Sequence, residues 1–271
     1  MSKWRPSKNC LYVIPDIHGR YKQLKVALKR ILPLRKTGGS YDKIVFLGDY
    51  IDRDIESHKV LDLLIDLKEE YPDQMIFLKG NHEDLFLHAM FDSNSDNYRV
   101  WMANGGEQTL KGYIQYKNID VYNAYTFDRK RIKDIVPTQH IDFIKTLKYQ
   151  HETDDHIFVH GGYDPSLSAE NQSPEELMWG NGLYEEARRI AHHPEQKELP
   201  WKKTIVMGHF WSGPFVYDKF MMLDRSKFKE VVVAEMNSRE IVFAKPGNGR
   251  VIKDHLDSFI PTKRGVFRRS N

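Results

Sequence analysis

Leu11-Tyr12-Val13-Ile14-Pro15-Asp16-Ile17-His18-Gly19 sets a short apolar run directly against an acid, an imidazole and a glycine. The same arrangement returns four times. Ile44-Val45-Phe46-Leu47 precedes Gly48-Asp49, and Met75-Ile76-Phe77-Leu78 precedes Lys79-Gly80-Asn81-His82-Glu83. Ile157-Phe158-Val159 precedes His160-Gly161-Gly162, and Ile205-Val206-Met207 precedes Gly208-His209. Runs this short, rich in β-branched and aromatic residues and closed by glycine, read as buried strands. Between the first three runs, Leu24, Ala27, Leu28, Ile31 and Leu32 recur at helical spacing, as do Val60, Leu63, Leu64 and Leu67. Strand, loop, helix, strand is the βαβ pattern, so the chain reads as α/β with a largely parallel sheet at this end.

Working outward, the later apolar runs at 219–223, 231–234 and 241–244 have no helices between them and read as an antiparallel continuation linked by hairpins. The stretch from about 85 to 150 is aromatic, polar and helix-leaning, with a turn at Asn104-Gly105-Gly106, and reads as a helical insertion walling the strand ends. Ser173-Pro174-Glu175-Glu176 offers an N-cap, a proline at the first helical position and a capping-box glutamate, so a helix is expected there. The expected organisation is a single domain over 1–271, with that insertion and a basic tail at about 255–271. Lys263, Arg264, Arg268 and Arg269 lie close together in the tail and read as solvated.

Composition agrees with a globular chain. Of its 271 residues, 40% are hydrophobic and 12% aromatic, enough to bury a sizeable core. A formal net charge of +3 gives no case for nucleic acid or membrane binding. Cys10 is the only cysteine, which rules out an intramolecular disulfide and points to a reducing compartment. It opens an apolar run and reads as core rather than as a nucleophile. Residues 1–9 are polar and basic with no apolar block after them suited to a signal peptide, and no stretch approaches the ~18 apolar residues of a membrane span. A cytoplasmic location is expected.

The strand-end placement carries the chemistry. Ligands of open α/β sheets gather at the carboxyl ends of the strands, and five strands here deliver Asp, His or Asn to that end. Asp16 and His18 are two apart, so on an extended segment they point the same way. An Asp and a His in a turn are commonplace when alone. Asp49 carries two oxygens able to bridge two cations, Asn81 adds an amide oxygen, and His160 and His209 add imidazole nitrogens. Mixed nitrogen and oxygen ligands without thiolates suit Mn, Fe or Zn.

With Pro15-Asp16-Ile17-His18-Gly19, Gly48-Asp49-Tyr50-Ile51-Asp52-Arg53-Asp54, Gly80-Asn81-His82-Glu83, His160-Gly161-Gly162 and Gly208-His209 in this order, the chain resembles the calcineurin-like metallophosphoesterases. The branch it is most similar to is that of the phosphoprotein phosphatases. Asn104-Gly105-Gly106-Glu107-Gln108-Thr109-Leu110 looks like the bacterial and phage members, which include protein phosphatases and symmetrical diadenosine tetraphosphate hydrolases. The resemblance implies a four-layer α/β/β/α sandwich with mixed sheets. It implies two divalent metal ions, Mn2+ first with Fe or Zn as alternatives. Asp16, His18 and Asp49 would hold one; Asp49, Asn81, His160 and His209 the other. Such cations, ~3.5–4 Å apart, can activate a bridging hydroxide for in-line attack on phosphorus. His82 would be the general acid, oriented by Asp52, and Arg53 would bind phosphate with Asn81 and His82 beside it.

Several positions depart from the family pattern. Pro15 replaces a glycine, Asp54 replaces the glycine after Arg53, Asn181 stands where relatives have an arginine, and Phe210 where they often have threonine. A lost arginine weakens the clamp on a monoester unless Arg188, Arg189 or Arg225 replaces it. All of these departures fall on the substrate side. The expected activity is therefore a metal-dependent Ser/Thr phosphoprotein phosphatase. Hydrolysis of dinucleoside polyphosphates or phosphodiesters on the same scaffold is the alternative, and an inactive binding protein the remote one. Trp101, Trp179, Trp201 and Trp211 read as packing anchors. Tyr50 and Phe210 read equally as pocket lining or as packing behind it.

Overall fold

The computed structural model describes residues 10–34, 36–37, 40–119, 131–192, 199, 201–211, 213–247 and 250–259. The basic residues 263–269 of the expected tail lie outside them. In chain order the first half holds β1 (Leu11–Ile14), α1 (Tyr21–Leu28), β2 (Lys36–Thr37), β3 (Ser40–Tyr41), β4 (Lys43–Phe46) and α2 (Ser57–Glu70). There follow β5 (Met75–Phe77), α3 (Asn81–Phe91), α4 (Ser95–Trp101), α5 (Glu107–Tyr116), α6 (Ile132–Ile135) and α7 (Thr138–Lys145). The second half holds β6 (Gln150–Glu152), β7 (His156–Val159), α8 (Pro174–Trp179), α9 (Gly182–His192) and β8 (Thr204–Met207). It closes with β9 (Phe215–Tyr217), β10 (Phe220–Met222), β11 (Val231–Glu235), β12 (Glu240–Ala244) and β13 (Val251–His255).

Two mixed sheets form. The first runs β13-β12-β11-β1-β4-β5, the second β6-β7-β8-β10-β9. In the first, β1, β4 and β5 pair in parallel, as the intervening helices require, while β11, β12 and β13 are antiparallel. In the second, β7, β8 and β10 are parallel, and β6 and β9 are antiparallel edges. The run at 219–223 thus differs from expectation. It does not join 231–234 and 241–244 but sits in the other sheet, parallel to β8 and antiparallel to β9. A hairpin at Asp218-Lys219 returns the chain from β9 and drops β10 into the slot beside β8.

Alternation along each strand builds the layers. Val13 and Val45 face inward with Phe158, Val206, Val216 and Met221 of the other sheet, which forms the inter-sheet core. Their neighbours Ile14, Ile44 and Phe46 face outward onto Leu24, Leu28, Val60 and Leu64 of α1 and α2. Val159, Ile205 and Met207 face the opposite way onto Leu177, Ala187 and Ile190 of α8 and α9. Strands buried on both faces read as continuous apolar runs, and the result is the α/β/β/α sandwich. Ser173 caps α8 by accepting from the Glu176 N–H, with Pro174 in the first turn. Among the described residues no helix is long and apolar enough to cross a membrane.

Candidate metal and phosphoester site

The carboxyl ends of β1, β4, β5, β7 and β8 converge, and hydrogen bonds sew their loops together. Ile17 and His18 N–H both donate to the Asp49 carbonyl, at 2.9 and 2.8 Å. Gly208 N–H donates to the His160 carbonyl at 3.0 Å, and His209 N–H to Asp16 Oδ1 at 3.0 Å. The loops after β4 and β5 approach so closely that a Cβ on Gly48 would lie 2.4 Å from the Gly80 nitrogen, and Gly48 itself has φ of 109°. No side chain fits there. Glu83, fully buried, accepts from Asp49 N–H, Tyr50 N–H and Gly80 N–H at 2.8, 2.8 and 3.0 Å.

Backbone strain concentrates here. His18, Asp49, Asp52, Arg53 and His209 all take positive φ, between 48° and 70°. Non-glycine residues rarely do so, and each such turn needs surrounding contacts to hold it.

Four potential ligand atoms crowd one point. His160 Nε2 lies 3.0 Å from Asn81 Oδ1, 3.2 Å from His209 Nδ1 and 3.4 Å from Asp49 Oδ1, and His209 Nδ1 lies 3.1 Å from Asn81 Oδ1. His160 Nδ1 faces the Leu47 carbonyl at 2.9 Å, so the proton is on that nitrogen and the Nε2 lone pair points at Asn81 and Asp49. Lone pairs facing lone pairs at this distance fit a cation between them. Beside this point, His18 donates from Nδ1 to the Ile51 carbonyl at 2.9 Å, which leaves its Nε2 lone pair 3.6 Å from Asp16 Oδ2 and 3.5 Å from Asp49 Oδ2. Asp16 Oδ2 and His18 Nε2 are buried and, among the described residues, without hydrogen-bond partners. Buried polar atoms left so are costly, and a second cation would satisfy both. Asp49 reaches both points, one oxygen to each. His82 also falls within ligand range of His18 and Asp49, but its two nitrogens face other partners.

Burial, with no counter-charge large enough, pushes His18 well below the ordinary histidine range and lowers His160. It takes His209 down to about 3, helped by His160. Neutral imidazoles are what a metal binds. His82 is the exception: burial opposes its charge, but Asp49 and Asp52 outweigh it and raise the pKa. Its Nδ1 lies 2.7 Å from Asp52 Oδ2 and its Nε2 lies 2.9 Å from Arg53 Nη2. The Arg53 guanidinium lies 5.3 Å over the Trp211 ring. A cavity of about 440 Å3 opens beside it, lined also by Asn104, Gly105, Ser226 and Lys227.

All nine residues singled out from the sequence, Asp16, His18, Asp49, Asp52, Arg53, Asn81, His82, His160 and His209, are thus brought to one place. Two of the cationic replacements considered for the missing arginine, Arg225 and Arg188, are held elsewhere. Arg225 bonds to Glu230 and to the Gly213 carbonyl, and Arg188 pairs with Glu185 over Tyr184. Asn181 instead opens α9, its carbonyl accepting from Glu185 N–H. Tyr50 packs behind the site, its hydroxyl donating to the Leu78 carbonyl, and Phe210 stacks on Tyr184.

Four contributors escaped the sequence reading. Glu83 sat inside a quoted motif, so its spacing three residues after Gly80 was a usable signal. Arg20 is buried among Asp224, Asp16 and Asp54, and its Nη2 donates to the Ser226 carbonyl at 3.0 Å. Trp101 and Thr109 both hydrogen-bond to Asp52. Trp101 and Trp201 are buried as anchors, whereas Trp179 and Trp211 are 37% and 56% exposed, which departs from the packing role expected for them.

The model of the family described as calcineurin-like phosphoesterase matches residues 11–224. A Schizosaccharomyces pombe relative described as a serine/threonine-protein phosphatase is 28% identical over 192 residues, 70% of this chain but 48% of that one. The chain therefore spans about half of that relative's length. Among solved structures, one described as a diadenosine tetraphosphatase superposes with a TM-score of 0.53 at 15% identity, covering 93% of this chain and 96% of the other. A cold-active protein tyrosine phosphatase gives a TM-score of 0.53 at 16% identity, covering 93% and 81%. Both likenesses are of fold.

Proposed function

The chain belongs to the calcineurin-like phosphoesterase family, and from that premise we propose that it is a two-metal phosphatase acting on phosphorylated side chains of proteins. The observation that carries the reading is the meeting of Asn81 Oδ1, His160 Nε2, His209 Nδ1 and Asp49 Oδ1 at 3.0–3.4 Å, beside the unpartnered Asp16 Oδ2 and His18 Nε2. Asp16, His18 and Asp49 would hold one divalent cation, and Asp49, Asn81, His160 and His209 the other. Mn2+ is the proposed occupant, since the donors are oxygen and imidazole without thiolate. Bound there, the cations would lower the pKa of the attacking water and draw charge from the phosphoryl oxygens.

The residues of the chain do the rest. Arg53, with its planar fork of donors, receives the phosphoryl group. In the structure that fork rests against His82 Nε2, so a phosphate that draws Arg53 away frees Nε2 to carry a proton. His82, kept basic by Asp52 and Asp49, delivers that proton to the leaving oxygen. The open cavity beside Arg53 leaves room for a leaving group. We place the protein in the cytoplasm, on its single cysteine.

Dinucleoside polyphosphates or diesters form the second reading, supported by the exposed Trp211 next to Arg53 and by the absent second arginine. The test is a panel with added Mn2+: a phosphopeptide, p-nitrophenyl phosphate, its bis-ester and diadenosine tetraphosphate. Phosphopeptide turnover is expected. Activity on the bis-ester alone would sink the protein-phosphatase reading.

A further inference from the structure

Asp52 and Arg53 take φ of 70° and 64° in succession. A pair of left-handed residues that are not glycine needs external support, and much of it comes from one distant segment. The Asp52 N–H donates to Thr109 Oγ1 at 2.8 Å, and the Arg53 N–H donates to the Gly105 carbonyl at 3.1 Å. The same segment then takes hold of the Asp52 carboxylate. Thr109 Oγ1 donates to Oδ1 at 2.8 Å, and the Trp101 indole N–H is shared between Oδ1 and Oδ2, 3.1 Å from each. The remaining bond, to Oδ2, is that of His82 at 2.7 Å. Ser57 Oγ, 2.9 Å from Thr109 Oγ1, ties the cluster to the start of α2. Trp101, Asp52 and Thr109 are 0%, 0% and 1% exposed, so water does not compete for these bonds.

A carboxylate that accepts from donors on three sides is fixed in plane. Between the two donors the chain makes a wide π-type turn over Met102–Gly106, with Gly105 at φ of 105°. A Cβ on Gly105 would lie 2.8 Å from the Arg53 nitrogen and Cγ. Turns of this kind inside helices are costly and recur at functional sites. This one serves to bring the Trp101 indole, the Gly105 carbonyl and the Thr109 hydroxyl onto two adjacent residues at once.

Resting on the phosphoesterase reading above, we propose that Trp101 and Thr109 are positioning residues for proton delivery: they aim Asp52, and through it His82, at the leaving-group oxygen. The segment from Trp101 to Thr109 thereby sets how poor a leaving group the site can expel. Neither residue touches substrate or metal ligand in this scheme. Their loss is felt where the leaving oxygen needs a proton and is silent where it does not.

The experiment compares Thr109→Val and Thr109→Ser with wild type on two aryl phosphates in Mn2+. Phenyl phosphate leaves as a basic phenoxide and 2,4-dinitrophenyl phosphate as a weakly basic one. For Thr109→Val, kcat on phenyl phosphate should fall by about tenfold or more, as for a weakened general acid. On the dinitrophenyl ester it should change less than about twofold, with KM and bound metal as in wild type. Thr109→Ser, which keeps the hydroxyl, should restore phenyl phosphate turnover. Trp101→Phe, provided its thermal midpoint stays near that of wild type, should show the same split. An equal fall on both esters, a loss of bound metal, or no fall at all overturns the proposal. Failure of wild type to hydrolyse either ester overturns the phosphatase reading itself, and the proposal with it.

Discussion

His82 Nδ1 lies 2.7 Å from Asp52 Oδ2, with both side chains fully buried. That bond fixes the imidazole's tautomer and turns Nε2 toward Arg53 and the cavity. Burial works against a charged imidazole, yet the pKa of His82 is raised, because the Asp49 and Asp52 charges win. His18, His160 and His209 lack that balance and are lowered. The histidines at the site therefore divide by environment into three suited to hold metal and one suited to hold a proton.

His82→Asn follows from this division. It removes the proposed proton donor but leaves Asp16, His18, Asp49, Asn81, His160 and His209 in place. Turnover should drop by about 10²–10⁴-fold, most with poor leaving groups, while metal content by elemental analysis stays at the wild-type level. Full activity in this variant would remove His82 from the acid role.

Asp49→Asn tests the other half. One Asp49 oxygen lies 3.4 Å from His160 Nε2 and the other 3.5 Å from His18 Nε2, so this carboxylate reaches both ligand points. The substitution keeps the shape and removes the charge. Activity should vanish and bound metal should fall in both sites. A variant that keeps full metal occupancy would show that Asp49 does not join them.

A different histidine contributes to stability against pH. His140 is buried between Tyr113 and Asp62: Nδ1 lies 2.8 Å from the Tyr113 hydroxyl and Nε2 2.8 Å from Asp62 Oδ1. The neutral ring satisfies both, donating to Asp62 and accepting from Tyr113. Burial lowers its pKa below the ordinary 6.5, with Lys117 assisting and Asp62 opposing. The folded state then binds fewer protons than the unfolded chain. Its stabilisation is complete above about pH 6.5 and is lost as pH falls below that value. Urea midpoints at pH 7.5 and 5.5 should differ more for wild type than for His140→Gln. An equal difference in both would mean that His140 does not titrate with unfolding.

Much of this was legible in the sequence because each strand-end cluster is local. Asp16, Asp49, Asn81, His160 and His209 each follow an apolar run within a few residues, and strand ends collect ligands. Pairing across the sheets was less legible. Phe220–Met222 has the same apolar character whichever neighbour it takes, so its place beside β8 rather than with β11 and β12 left no local trace. The supports of Asp52 were out of reach for a similar reason. Trp101 and Thr109 lie 49 and 57 residues beyond it, on a segment whose aromatic, polar composition announces helices but not what they hold. Arg20, inside the first loop, looked like any exposed base; only the fold shows it buried.

Glu83 joins what was legible to what was not, and its substitution is the sharpest stability test. Its carboxylate accepts from Gly80 N–H, three residues back, as a helix-capping glutamate should. It also accepts from Asp49 N–H and Tyr50 N–H across the gap to the loop after β4. One side chain thus fastens the loop that carries Asp49 to the helix that begins at Asn81. Burial raises its pKa, while the Tyr50 and Gly80 amides and the nearby histidines hold it down. Glu83→Gln replaces one accepting oxygen with an amide NH2 that must face backbone donors. Leaving such a donor unpaired should cost about 1–3 kcal/mol, read as a lowered urea midpoint at pH 7.5. Because Asp49 and Asn81 lose a common anchor, Mn2+ affinity should fall with it. Unchanged affinity at reduced stability would mean that Glu83 braces the fold without setting the metal geometry.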